Sequence, residues 1–429
     1  MINLLVILFT LAGIRSILLT KNGLENSLQL IILAFVLGYR TFEPIPGLKL
    51  HPIEIFIYAS IVRIIISDAF KYRKMSIAVT SINIFFVAFF FIDLLTRYEY
   101  LVLLEFKNSF LLILIFFIIQ HIHFSKSYFV RLLKHYLLAA SLISILGILE
   151  FIFPSFLSSI FGFQTQAINN SENIFFARLA FLFWGSHLAA NLIPPVFLIL
   201  LLLKAEKDPI VKNNYVLTFL VIINLVAIYL SGNRISWLIL TIFLIATIFQ
   251  YSGSIISYVK SYAILVTLIF VAYIYSQPVE GRYISTFKAL TGQIDTRFDS
   301  SGSARMARAK IAIDSIIEKP LGTGWGSQGW VHSDMLQVAA TIGVIPAVIL
   351  LIGLLFLLVR IYRIFLLAPL NEKTIFFVCW GLLFFVIVSL SLNGNILLVQ
   401  TGVPLFLFWA IVDGYLSSNK QVEPYYLSR

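Results

Sequence analysis

Arginines and histidines in the polar connections of this chain are the side chains best suited to chemistry. Arg305 and Arg308 lie in a long polar segment, residues 277–334, and His332 lies near the end of that segment. Arginine suits bidentate contact with phosphate oxygens, and histidine can take up a proton near neutral pH. Together they predict a site that binds an anion and accepts a proton from a hydroxyl group.

Three further residues extend this candidate set. Arg234 follows an apolar run in the sequence SGNR, and a cation at such a boundary must be paired or must reach the surface. Arg178 and His187 lie in an apolar block, residues 174–203, that a proline pair interrupts. Breaks of this kind are tolerated where neighbouring protein covers the backbone, so these two residues could line a cavity.

Each candidate also has a structural explanation. The arginines could form a solvated basic helix end or could contact lipid headgroups, and His332 could be hydrogen-bonded at the water–lipid boundary. For Arg178 and His187 a structural role is at least as well supported as a functional one. Residue type and spacing alone therefore leave both explanations open.

The local sequence predicts the elements that hold these residues. Ser303 is a good N-cap for a helix that ends before Pro320, with Arg305 and Arg308 in its first turn. Exposed amides and guanidinium groups there would together attract an anion. Apolar residues recur at helical spacing, which predicts that one face of this helix lies against the rest of the protein.

A glycine cluster follows this helix, at positions 322, 324, 326 and 329. It predicts a turn or a close approach of two backbone segments. The cluster lacks the GK[ST] ending of a phosphate loop and leads into an apolar segment, which excludes that nucleotide-binding motif. His332 comes next, with Ser333 or Asp334 as the N-cap of the following helix.

Composition places the chain in a membrane. Of its 429 residues, 60% are hydrophobic and 12% are charged, whereas soluble domains have roughly half and about a quarter. The net charge of +11 is spread over many short loops, which indicates membrane orientation rather than nucleic-acid binding. The single cysteine, Cys379, lies in an apolar run and predicts a buried thiol. No HExxH sequence or His/Cys ligand spacing occurs, so no metal or other cofactor is predicted.

The apolar runs predict an all-α, polytopic transmembrane protein with about 12–13 spans of roughly 20 residues. Residues 1–276 form a first block of helices, which includes the broken segment 178–203 and the Arg234 turn. Residues 277–333 form one large loop that contains short helices, and residues 334–429 form further helices and a tail. The predicted spans are 3–20, 27–38, 51–67, 76–91, 100–120, 136–153, the block 174–203, 215–230, 235–251, 262–275, 335–359, 374–392 and 396–414.

Basic residues in the short connectors predict the orientation of the chain. Four connectors are rich in Lys and Arg, and counting spans places all four on one side, the cytoplasmic side. The opposite side then holds the loop 154–173, the SGNR turn, the large loop and the turn 393–395. The cationic residues of the four connectors are Arg63, Lys71, Arg73 and Lys74; Lys126, Arg131 and Lys134; Lys204, Lys207 and Lys212; Arg360, Arg363 and Lys373.

Four stretches of this sequence resemble the bacterial O-antigen ligase/polymerase family. They are ARLAFLFWGSHLAANLIPPVFLIL, SGNRISW, SGSARMARAKIAIDSIIEKPLGTGWG and VHSDMLQVAATIGVIPAVI, in the family's order, over about residues 178–345. The sequence departs from the family pattern at Ala304, where glycine or a small polar residue is commoner. It departs again at Ser333, where asparagine usually follows the histidine.

The resemblance implies a helical membrane fold similar to that of GT-C glycosyltransferases. It implies a metal-independent glycosyl transfer, with inversion at the sugar, from an undecaprenyl-diphosphate-linked oligosaccharide in the bacterial inner membrane. Arg234 and Arg305, with Arg308 beside them, would hold the diphosphate, and His332 would contact or deprotonate the acceptor hydroxyl. The periplasmic face would carry this site, and the implied partners are the lipid-linked donor, a glycan or lipid-linked acceptor, membrane lipids and a chain-length regulator protein.

The acceptor distinguishes the functions that the resemblance leaves open. A polymerase transfers to another lipid-linked repeat unit, a ligase to the lipid A core, and a protein glycosylation enzyme to a Ser or Thr side chain. The absence of a long extra loop or C-terminal domain for an acceptor favours a polymerase. The non-enzymatic alternative is a transporter of lipid-linked oligosaccharide or small anions, which would place its cations in a central cavity rather than at one face.

Overall fold

In the computed structural model, the residues that can be described are 2–37, 42–45, 48–66, 100–153, 192–231, 233–250, 300–324, 331, 333–392 and 399–418. Helices make up nearly all of this part of the chain. They are α1 (Ile2–Leu19), α2 (Gly23–Ala34), α3 (Pro52–Ile66), α4 (Tyr100–Gln120), α5 (Lys126–Ile152), α6 (Pro195–Ala205), α7 (Pro209–Lys212), α8 (Asn214–Ser231), α9 (Arg234–Gln250), α10 (Ser300–Glu318), α11 (Asp334–Thr341), α12 (Val344–Leu367), α13 (Leu370–Leu392) and α14 (Val399–Ser418).

The fold is an all-α, polytopic membrane fold, as the sequence predicts. Four of the described helices are long and apolar enough to cross a membrane, and six shorter apolar helices accompany them. A short antiparallel pair of strands, β1 (Phe42–Ile45) and β2 (Leu48–Leu50), lies between α2 and α3. The predicted spans 76–91 and 262–275 lie outside the described residues, so the total of 12–13 spans stays a prediction.

Two predicted spans differ clearly from the helices that contain them. The predicted span 136–153 belongs to a helix that begins ten residues earlier, at Lys126, where Ser125 caps it by accepting a hydrogen bond from the Tyr128 amide. Hydropathy marks where lipid ends, but a helix can continue into water, so the basic first turns of α5 were assigned to the loop. The predicted span 335–359 is two helices, α11 and α12, separated at Gly343, whose φ of +121° no α-helix contains.

The proline pair breaks the apolar block as predicted. Helix α6 begins at Pro195, where the missing amide of proline costs no hydrogen bond. The interior of the bundle is rich in aromatic side chains: Trp409 packs edge-on against Phe116, and Phe408 packs against Tyr136. Cys379 is fully buried, as its sequence context predicts.

The described basic connectors lie at one end of the bundle. The Arg63 guanidinium donates to the Leu18 carbonyl at the end of α1 (2.8 Å), and the Tyr128 hydroxyl donates to the Glu25 carbonyl at the start of α2 (2.8 Å). Ion pairs then join the start of α5 to the α6–α7 connector. They are Lys126–Glu206 (2.8 Å) and Lys134–Asp208 (3.0 Å).

Ring contacts bring the fourth connector to this same end. Tyr415 on α14 packs against Phe129 on α5 and against Phe376 near the start of α13. Helix α13 follows Arg360 and Arg363, which lie near the end of α12. We call this end of the bundle the basic end. Helix α8 leaves it at Asn214 and α12 approaches it from Gly343, so Ser231 and Gly343 lie at the opposite end.

Candidate active site

Helix α10 carries two of the predicted arginines, but its start differs from the prediction. It begins at Ser300, so Ser303 lies inside the helix and is not its N-cap. Arg305 and Arg308 therefore lie in the second and third turns. The helix dipole acts mainly within the first turn, so the predicted combination of first-turn amides and guanidinium groups is wrong. Serine costs a helix little, which allows the Ser/Gly-rich stretch to continue the helix instead of capping it.

One face of α10 packs against α11, which confirms the predicted amphipathic contact. Ala312 is fully buried with Val331 and Ala340, and Ile316 and Leu336 border this small cluster. The opposite face exposes apolar and charged side chains, as expected for a helix at a membrane surface. Met306, Lys310 and Ile317 lie on that face, and Arg308, which precedes Ala312 by four residues, is exposed as well.

Helical spacing places position 305 near this packed face. Position 305 precedes Ala312 by seven residues, which corresponds to two turns along the same side of a helix. Helix α11, the partner of this face, begins directly after Ser333. The structure places Arg305 by its backbone in α10, and the α10–α11 contact brings its helix to the segment that contains position 332.

Residues 320–324, which follow α10 and include the first two glycines of the cluster, pack against the break between α11 and α12. We call this packing the glycine contact. The Thr323 amide donates to the Ala340 carbonyl (3.0 Å), and the Gly324 amide donates to the Thr341 carbonyl (2.8 Å). In return the Val344 amide donates to the Pro320 carbonyl (3.0 Å). These backbone bonds satisfy carbonyl and amide groups that a broken helix would leave without partners.

Glycine is required on both sides of this contact. Gly322 has a φ of +91°, and a Cβ there would collide with the Thr341 carbonyl and the Ile342 backbone. Gly343 has a φ of +121° and lies against the Leu321 backbone. The sequence predicted a close approach at Gly322 and Gly324, whereas positions 326 and 329 lie outside the described residues. Gly343 was missed because one glycine in an apolar run gives no signal of a helix break.

His332 itself lies outside the described residues, but both of its neighbours are held by hydrogen bonds. The buried Val331 donates its amide to Gln337 Oε1 (2.8 Å). Ser333 is the N-cap of α11: its hydroxyl accepts from the Leu336 amide (3.3 Å), and its carbonyl accepts from the Gln337 amide (2.8 Å). Of the two predicted caps, Ser333 is therefore the correct one. Gln337 was not predicted, because its role depends on the fold of the preceding segment.

Arg234 is the first residue of α9, and the turn before it is tightly built. Asn233 accepts hydrogen bonds at Oδ1 from the amides of Ile235 (3.0 Å) and Ser236 (3.2 Å). The Asn233 amide in turn donates to the Ser231 hydroxyl (3.2 Å), and both residues are buried. Asn233 was not predicted, although asparagine directly before a helix is a common N-cap.

The turn before Arg234 lies at the same end of the bundle as the α11–α12 break. Helix α8 carries the chain to Ser231 from the basic end, and α12 returns to the basic end from Gly343. Arg178 and His187 lie outside the described residues. Among the described residues, no group of three or more His, Cys, Asp or Glu side chains could hold a metal ion.

The described helices define the class of this chain as a polytopic helical membrane protein. The sequence profile of the O-antigen ligase family matches residues 219–351 of the chain. The matched segment contains Arg234, Arg305, Arg308, His332 and the glycine contact, and it confirms the resemblance drawn from the motifs. No curated protein matches the chain significantly. The match supports a role in polysaccharide assembly for this membrane protein and a glycosyltransferase-like activity.

Proposed function

We propose that this protein polymerises undecaprenyl-diphosphate-linked oligosaccharide repeat units on the periplasmic face of the bacterial inner membrane. The observation that carries the proposal is the family match over residues 219–351. The interlocked unit of α10, the glycine contact and α11 supports it, because this unit joins the helix of Arg305 to the flanks of His332. Arg234 begins a helix at the same end of the bundle.

The proposed reaction is a single displacement. The acceptor hydroxyl attacks the anomeric carbon, the bond between that carbon and the diphosphate oxygen breaks, and undecaprenyl diphosphate leaves with inversion at the sugar. His332 takes the hydroxyl proton. Arg234 and Arg305 stabilise the negative charge that grows on the leaving diphosphate, with Arg308 beside them, so the proposed mechanism needs no metal.

The second candidate function is ligation of finished glycan to the lipid A core. The matched profile is described as O-antigen ligase, which favours this reading. The donor and its chemistry are the same for both functions, so the same arginines and histidine would serve either acceptor. Transfer to a Ser or Thr of a protein differs from these two only in the acceptor.

Purified protein with a lipid-linked repeat unit tests the proposed site. We expect Arg305→Ala and His332→Ala each to lower the rate of sugar transfer by about 10²–10³-fold, the range for losing an electrostatic or proton-transfer group. Arg234→Ala should weaken binding of the donor as well. Lys310→Ala is the matched control, since Lys310 is an exposed cation on the same helix and should keep full activity.

EDTA should leave the wild-type rate unchanged. Full activity of both Arg305→Ala and His332→Ala would overturn the site, and loss of activity in EDTA would overturn the metal-free mechanism. If no sugar bond forms with any acceptor while the lipid-linked donor crosses a vesicle membrane, the protein is a transporter.

A gel profile of surface polysaccharide from cells that lack this gene separates polymerase from ligase. Loss of the long ladder with one repeat left on the core indicates a polymerase. Loss of every repeat from the core, with lipid-linked polymer accumulating, indicates a ligase.

A further inference from the structure

Helix α10 exposes a row of apolar side chains on a side that points away from Ala312 and the contact with α11. Met306, Ile313 and Ile317 are 66%, 45% and 74% exposed. Their spacing of seven and four residues places them on one side of the helix. Lys310, also exposed, lies in the same row, four residues after Met306 and three before Ile313. We call these four residues the exposed row.

The charged residues of α10 differ from one side of the helix to another. Asp314 and Glu318 are exposed and share a side that is not that of the exposed row, and Arg308 lies on a further side. Lys310 is thus the one charged member of the exposed row. A lysine can lay its apolar stem along a hydrocarbon surface while its ammonium group reaches lipid phosphates. The exposed row therefore combines apolar surface with positive charge and holds no acid.

The glycine contact gives the level of α10 relative to the lipid. The Val344 amide donates to the Pro320 carbonyl (3.0 Å), so the chain just after α10 is level with the first residue of α12. Leu321, next to Pro320, is 79% exposed. Exposed apolar side chains of α12, a helix able to span the membrane, begin one residue further on. They recur at helical spacing as Ile345, Val348, Ile352, Phe356 and Val359. The end of α10 thus lies where the lipid-facing surface of α12 begins.

Helix α10 is long enough to span a membrane, with 19 residues, but five of them are charged. Charged side chains near the centre of a span are costly, so α10 is not a membrane span. Met306 and Ile317 are 11 residues apart, which is about 17 Å along a helix. Both can meet lipid at one depth only when α10 lies close to the plane of the membrane.

We propose that α10 is an interfacial helix whose exposed row docks on the phospholipid surface at the end of the bundle opposite the basic end. Met306, Ile313 and Ile317 enter the boundary between headgroups and acyl chains, and Lys310 meets the lipid phosphates. This lipid contact continues the lipid-facing surface of α12 past the glycine contact. The membrane surface and α11 then hold two different sides of the helix that carries Arg305. The inference does not depend on the proposed sugar transfer.

The test is depth measurement on the full-length protein in vesicles of phosphatidylethanolamine and phosphatidylglycerol. Met306→Cys, Ile317→Cys and Ile311→Cys each receive an environment-sensitive fluorophore, and the wild type is the unlabelled control because Cys379 is fully buried. Ile311→Cys is the matched control, since Ile311 is 59% exposed but lies outside the exposed row. We expect lipids with a nitroxide high on the acyl chain to remove about half of the emission at positions 306 and 317, which lie about 5–10 Å deep. Emission at position 311 should fall only with a water-soluble quencher.

Equal quenching by lipid at all three positions, or none at any of them, would overturn the proposal. Quenching by lipid at position 317 alone would overturn it too, because α10 would then rise out of the membrane plane. Labels at 306 and 317 that neither quencher reaches would show that protein, not lipid, covers the exposed row. If Met306→Cys fails to fold, Ile313→Cys replaces it with the same expected result. Quenching by lipid in a protein that transfers no sugar would refute the proposed function and still support the lipid contact.

Discussion

At the scale of single residues, Asn224 shows how a polar side chain is used within the bundle. Its Oδ1 accepts a hydrogen bond from the Ser144 hydroxyl (2.8 Å), and its Nδ2 donates to the Ser141 hydroxyl (3.1 Å) and to the Leu220 carbonyl (2.7 Å). All of these groups are buried. The bonds tie α5 to α8, the helix that leads to Arg234, so Asn224 indirectly fixes the position of the candidate site.

Replacing Asn224 by leucine should lower the stability of the protein. The substitution removes both bonds to α5, and hydrogen bonds between helices in membranes contribute about 0.6 kcal/mol on average and up to about 1.7. We expect a loss of about 1 kcal/mol, measured as a lower melting temperature in detergent. Thr247→Val is the control, because the Thr247 hydroxyl donates to the Phe243 carbonyl of its own helix. An unchanged melting temperature for Asn224→Leu would contradict the role of these bonds.

The sequence predicted the charged residues of the candidate site but not the residues that hold their surroundings. Arg305 and His332 stand out because cations are rare in an apolar chain and need a reason. Asn233 and Gln337 do not stand out, since their roles depend on groups that only folding brings near. Charged residues can be recognised from the composition of the sequence around them. Residues that support the site through hydrogen bonds can be recognised only from their neighbours in the folded structure.

At the scale of elements, the contact between residues 320–324 and the α11–α12 break joins two parts of the candidate site. It is made by backbone groups, so it tolerates change in most side chains but not at Gly322 or Gly343. Helix α10 is attached to this contact through Pro320, and α11 leads from it back toward position 332. The contact therefore sets the distance between the helix of Arg305 and the segment of His332.

Gly322→Ala and Gly343→Ala should each damage this contact. A residue with a Cβ at positive φ costs roughly 1–2 kcal/mol. An added methyl group at Gly322 would also collide with backbone across the contact, and one at Gly343 would be crowded by it. We expect a lower melting temperature and a loss of transfer activity of at least tenfold in both variants. Leu321→Ala changes the exposed neighbour of Gly322 and should have no effect. Wild-type activity in both glycine variants would show that the contact does not position the site.

Most elements could be predicted because lipid imposes long apolar runs, and helices α1, α4, α8 and α9 begin and end within two residues of the predicted spans. The errors occur where the ends of an apolar run do not coincide with the ends of a helix. Helix α5 extends into water beyond its apolar part, and the α11–α12 break lies inside an apolar run. The positive φ of Gly343 does not change the hydropathy of the sequence, so only the structure could show that break.

At the scale of the whole molecule, the positions of the basic residues and the contacts between helices distinguish two ends of the bundle. The basic end gathers residues of all four Lys/Arg-rich connectors through ion pairs, backbone bonds and ring contacts. The other end holds the Ser231–Arg234 turn and the α11–α12 break. Because basic connectors stay in the cytoplasm, this arrangement supports a site on the outer face.

Cysteine labelling tests this orientation directly. Lys212 lies at the basic end and Lys319 lies beside the glycine contact, and both side chains are exposed. We expect Lys319→Cys to react with a membrane-impermeant maleimide in intact spheroplasts, and Lys212→Cys to react only after lysis. The native Cys379 is fully buried, so the wild-type protein serves as the unlabelled control in the same experiment.

The reverse pattern would place the candidate site in the cytoplasm and would contradict the proposed periplasmic polymerisation, whatever the activity of the arginine variants. Labelling of both positions in intact spheroplasts would contradict the separation of the two ends. The test distinguishes the two orientations because Lys212 and Lys319 lie at opposite ends of the helix bundle. Helix α8 alone, with its 18 residues, spans about 27 Å at 1.5 Å per residue, close to the thickness of the hydrocarbon layer of a membrane.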